Sequence, residues 1–117
     1  MMKRGLNMLI HNNKEYVCHL DFAMEFIRSK WKAVILCHLI DDPKRFLELQ
    51  RTLPGISHKV LNDNLKQLEA DGLISKKIFP EVPPKVEYSL TEKGRELAPA
   101  LDILETWGKR YFKKFED

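Results

Sequence analysis

A chain of 117 residues is long enough for one compact domain and short for two. Its 44% hydrophobic content is that of a folded protein, and no window holds the roughly 18 apolar residues that a membrane span needs. The formal net charge of +3 leans mildly toward anionic partners. Two cysteines, without a leader-like opening, argue for a cytoplasmic protein with free thiols and against a disulfide-stapled secreted one.

Residues 1–19 have no clear period, and 14–19 read as an extended arm. From Asp21, taken as N-cap, Phe22, Ala23, Phe26 and Ile27 recur at helical spacing. A second helix over 30–40 is apolar across a wide arc, so it is placed centrally in the core, and Asp41-Asp42-Pro43 ends it. A third, 45–53, carries Phe46, Leu49 and Leu53 on one face. The tight turn Pro54-Gly55-Ile56 leads to Ser57, the N-cap of a fourth helix with Val60, Leu61, Leu65 and Leu68 as its inner stripe. Asp71-Gly72 stops it. Residues 73–79 and 85–90 read as two strands around a tip stiffened by three prolines. A last helix begins at Thr91. Leu97, Leu101, Leu104, Gly108, Tyr111 and Phe115 form a heptad-like seam on it, widened by Trp107 and Phe112. Pro99 is expected to kink or divide this helix.

The predicted fold is mainly α with a β-hairpin wing, a winged helix-turn-helix. It forms a single domain over 1–117, with a DNA-binding core and wing at 30–90 and dimerisation elements at 1–29 and 91–117. The seam of the last helix and Phe22 and Phe26 of the first are the expected dimer contacts. The fourth helix runs against its own dipole: His58 and Lys59 follow the cap, whereas Glu69 and Asp71 sit at the far end. That order suits an N-terminus facing phosphate. Its outward residues Ser57, His58, Lys59, Asn62, Asp63 and Lys66 are therefore the candidate DNA contacts, joined by Lys76, Lys77 and Lys85 on the wing and by Arg45. The solvated face of an ordinary amphipathic helix looks the same, and wing lysines also protect an exposed strand edge.

Several runs are more specific: Lys30-Trp31, Pro54-Gly55-Ile56-Ser57, Leu68-Glu69-x-Asp71-Gly72-Leu73, and Val82-Pro83-Pro84-x-Val86-Glu87-Tyr88-Ser89-Leu90-Thr91-x-x-Gly94. Through them the chain resembles the HxlR-type transcriptional regulators, a branch of the MarR-like winged helix proteins. The resemblance implies a homodimer with the first and last helices at its interface, the fourth helix in the major groove and the hairpin as wing. It also implies that Cys18 matches a position used as a redox or electrophile sensor. Arg28-Ser29, Asp63, Asn64 and His19 depart from the common pattern of the family.

The partners expected are duplex DNA with a pseudo-palindromic operator and a second copy of the chain, and a small-molecule inducer is compatible with this reading. Cys37, in the apolar second helix, is read as core packing. Cys18-His19 and Cys37-His38 match no zinc spacing, and there is no phosphate loop or nucleophile elbow, so no metal, cofactor or enzyme activity is expected. The rival reading is a winged helix that serves as a protein-interaction module without sequence-specific DNA binding.

Overall fold

The computed structural model describes residues 8–116, with side chains described as far as Phe112. It opens with a small hairpin where an extended arm was expected. Strands β1 (Leu9–His11) and β2 (Lys14–Tyr16) pair antiparallel through His11 and Lys14. Asn12 and Asn13 join them at φ 49° and 64°. Two left-handed residues make a turn whose twist matches that of the strands, and asparagine tolerates this backbone better than most residues.

Helix α1 (His19–Met24) starts earlier than the sequence suggested, with Cys18 at the N-cap position. Asp21 caps it from inside the first turn, accepting the Val17 N–H at 2.9 Å and meeting Arg28 at 3.0 Å. The next bonds, Phe26 N–H to Ala23 O and Ile27 N–H to Met24 O, tighten to i→i−3, so Phe26 and Ile27 fall beyond the helix. Helix α2 (Lys32–His38) is shorter than 30–40 at both ends, and Ser29 Oγ accepts the Lys32 N–H at its start.

Helix α3 (Phe46–Thr52) is capped by its own Glu48, whose carboxylate accepts the Arg45 N–H at 2.8 Å. Helix α4 (His58–Ala70) begins as expected: Ser57 Oγ accepts the Val60 N–H at 3.1 Å. It ends in a Schellman turn. Gly72, at φ 77°, donates to Glu69 O, and Leu73 donates to Leu68 O.

The wing is an antiparallel pair, β3 (Ile74–Phe79) and β4 (Lys85–Leu90), in register from Ile74 opposite Leu90 to Phe79 opposite Lys85. A further bridge, Lys44 to Tyr88 with N–H···O bonds in both directions (2.9 and 2.8 Å), ties the wing to the loop before α3. Thr91 then links three pieces of chain. Its N–H donates to Leu73 O, its hydroxyl donates to Gly72 O, and the same hydroxyl accepts the Gly94 N–H.

Helix α5 (Glu92–Glu116) is one continuous element through Pro99, which neither divides nor ends it. A proline removes a single helical donor, and the turns on both sides persist. Gly94 is needed where α5 crosses the end of α4, because a Cβ there would lie 2.2 Å from Leu73 O.

The core lies where α2, α3, α4 and the wing meet, around Ile35, Leu36, Leu49, Leu61, Leu65 and Leu68. Val60, predicted for the inner stripe of α4, is exposed beside it. Leu101 docks α5 onto this core.

A candidate nucleic-acid interface on the fourth helix and the wing

Along α4, Lys59, Asn62, Asp63 and Lys66 stand three and four residues apart and so form one line on the helix. All are exposed except Asn62, which is half-buried. Lys59 Nζ holds Asp63 Oδ2 at 2.7 Å, and this bond keeps the Lys59 ammonium more firmly protonated than usual. Asn64, beside the line, is occupied internally, donating to Val60 O at 2.7 Å. Ser57 holds the cap, so its oxygen is committed to the backbone while its neighbouring N–H groups face outward.

The start of α4 is joined to α3 by aromatic contact. The His58 ring lies 4.5 Å from that of Phe46, next to Arg45. From Arg45 an open groove of about 600 Å³ runs to the wing, lined by Arg51 of α3 and by Pro84 and Lys85. His58, Arg45 and Lys85 therefore border a continuous surface. Arg51 was not singled out in the sequence. It sits on the outer side of α3, and only the groove reveals its place.

On the wing, Lys77 and Lys85 both lie over the Phe79 ring, at 4.8 and 4.9 Å. Lys85 is half-buried and also pairs with Glu87 at 3.3 Å. Lys76 alternates to the other face of β3, opposite Tyr88 in the register. The ten candidates thus divide into Ser57 at the cap of α4, a line of four along that helix, a junction at Arg45 and His58, and the wing pair Lys77 and Lys85, with Lys76 apart from them.

The expected dimer residues also separate. Leu101 is 3% exposed and belongs to the core of its own chain, and Leu97 packs beside it. Phe22 and Phe26 are half-buried edge-to-face against each other, with Tyr16 and His11 edge-on to Phe22. Farther along α5, Leu104 and Trp107 are more than half exposed, as are Ile103 and Phe112. Gly108 and Tyr111 are half-buried, the Tyr111 ring 5.1 Å from Trp107. The Phe115 side chain lies outside the described residues.

Both thiols are free and half-buried. Lys14, four residues before Cys18, is paired with Glu25 at 3.5 Å. Burial pushes the Cys37 thiol up, and Glu105 and Asp102 push it in the same direction. His38 Nδ1 is occupied by Val34 O. Among the described residues no three His, Cys, Asp or Glu side chains cluster as a metal site, and no helix is long and apolar enough to cross a membrane.

Residues 26–116 match the family profile of the HxlR-like helix-turn-helix. The chain belongs to the HxlR-like helix-turn-helix family. An uncharacterized HTH-type transcriptional regulator from Methanothermobacter thermautotrophicus is 47% identical over 97 residues, covering 83% of this chain and 74% of the relative. The HTH-type transcriptional regulator YtcD of Bacillus subtilis is 46% identical over 101 residues, covering 86% and 80%. Among solved structures, the reduced form of the redox regulator HypR superposes with a TM-score of 0.81 at 40% identity, covering 85% of this chain and 98% of that one. The fold of this HxlR-like chain is accordingly the winged helix of those regulators. The match begins at residue 26, so the hairpin β1–β2 and α1 lie outside it.

Proposed function

We propose that this HxlR-like regulator acts in the cytoplasm as a homodimer, placing α4 of each copy in the major groove of a pseudo-palindromic duplex site. The observation that carries this is the start of α4. A 13-residue helix presents free N–H groups, His58 and Lys59 at its positive end, against the dipole preference of a merely structural helix. The line Lys59, Asn62, Asp63 and Lys66 supplies donors and an acceptor for base edges. Arg45, Lys77 and Lys85 supply phosphate contacts at its flank, and exposed Lys76 adds one from the opposite face of β3.

Dimerisation is supported by shape. The Cα radius of gyration is 16.8 Å, against about 13 Å for a compact chain of this length. The accessible surface is 8919 Å², about a third above the roughly 6600 Å² expected for a monomer of this mass. The outer half of α5 carries Ile103, Leu104, Trp107 and Phe112 without cover.

Cys18 is the proposed thiol switch. HypR, whose structure this chain resembles, is a redox regulator, and Cys18 sits at the start of α1, where oxidation would disturb the helix that carries Phe22. A small-molecule inducer is a compatible second input.

The test is duplex binding by fluorescence anisotropy across a salt series. Affinity should fall steeply with salt for a selected genomic site, and Lys59→Ala should lower the slope by about one. A winged helix serving only as a protein-docking module would bind every duplex weakly and alike.

A further inference from the structure

A second concave site lies away from α4's outer line, against the end of α4. It is a cavity of about 570 Å³, within the range of small-molecule sites. One wall comes from the hairpin and α1: His11, Asn12, Lys14, Tyr16, Phe22 and Glu25. The other comes from the shared scaffold: Lys32 of α2, Gln67, Ala70 and Asp71 at the end of α4, and Lys93 of α5, with Phe26 between the walls. The first wall lies outside the family match, which begins at 26. The cavity thus joins the β1–β2 hairpin to the winged-helix scaffold, and α1 falls within the stretch shared with relatives, one of which matches over 101 residues.

Its chemistry is specific. The rings of Tyr16, Phe22 and Phe26 meet edge-to-face at 5.3 and 5.1 Å and give an aromatic wall that offers both ring faces and ring edges. Tyr16 stays neutral, because burial and its bond to Glu25 raise the hydroxyl above an ordinary phenol. Three lysines stand against two carboxylates in the lining. Glu25 is engaged by Lys14 and Tyr16. Lys93 is held over Phe26, its Nζ donating to Asp71 O at 2.8 Å. Lys32, half-buried, has no carboxylate within ion-pair distance among the described residues.

We propose that this cavity binds a small organic monoanion with a flat apolar body, an arene carboxylate, its ring on Phe22 and Phe26 and its charge on Lys32. One surplus positive charge suits a monoanion and leaves a nucleotide polyphosphate uncompensated. Such a ligand would touch the hairpin and the end of α4 together, so binding would bias the placement of one against the other. The site stands whether or not α4 reads DNA, and its test needs no DNA.

The experiment follows backbone amide shifts of the full chain by NMR during titration with phenylacetate, phenylacetamide and acetate. Phenylacetate should give saturable shifts at 11–16, 32 and 67–72. Phenylacetamide and acetate should bind at least tenfold more weakly. Lys32→Gln should weaken phenylacetate at least tenfold, while the wing variant Lys76→Gln should leave it unchanged. The proposal is overturned by the absence of saturable shifts up to about 10 mM, the weak end for a ligand of this size. Equal binding of the amide, or indifference to Lys32→Gln, overturns it too.

Discussion

Lys59 pairs with Asp63 one turn on, and in the proposed complex it also stands at the end of α4 turned to phosphate. An exposed pair of this kind adds little to stability, so its consequence lies in recognition. In the proposed complex Asp63 would repel phosphate wherever no base edge satisfies it, which would penalise non-cognate duplex. Asp63→Asn should raise affinity for random duplex several-fold and narrow the gap to the selected site; competition titrations with both duplexes measure this. An unchanged ratio would show that Asp63 takes no part in discrimination. The two thiols should separate as well. Burial and the neighbouring acids keep Cys37 protonated to higher pH than an ordinary thiol, so at neutral pH it offers less thiolate to an alkylating reagent. Timed iodoacetamide labelling read by mass spectrometry should find Cys18 modified first, and Cys18→Ser should abolish an oxidant's effect on DNA binding while leaving the affinity itself intact.

Elements were legible where the signal was local. Ser57 caps α4 through a bond to Val60, three residues away, and Gly72 ends it in a left-handed turn, both written in short runs of sequence. The hairpin β1–β2 was missed because its turn is Asn12-Asn13, without the glycine that usually marks such turns. The start of α1 was misplaced because Asp21 caps it from inside the first turn. The role of Gly94 is tertiary, since only the approach of Leu73 O shows why no side chain fits there. Gly94→Ala should force α5 away from the end of α4 and cost about 1–3 kcal/mol, as overpacking does. For a domain of this size that lowers the Tm by several degrees per kcal/mol. An unchanged melting curve would mean that this crossing is looser than the 2.2 Å approach implies.

At the scale of the whole molecule, periodicity showed that α5 has an apolar seam but not which surface covers each part. The near half, through Leu101, closes the chain's own core, while the far half, with Leu104, Trp107 and Phe112, is left for another surface. Likewise, the position of Arg51 and the cavity beside Lys32 exist only once distant segments meet. The account predicts dimers in sedimentation at micromolar concentration, and Trp107→Glu should shift them toward monomer without unfolding the core. It also predicts that two copies of α4 act together on one duplex. The most direct test is a footprint of the full chain on its selected genomic site. Two protected half-sites about 34–36 Å apart, related by a dyad, are the predicted result. Protection of a single asymmetric half-site, or no preference over bulk DNA, would contradict it.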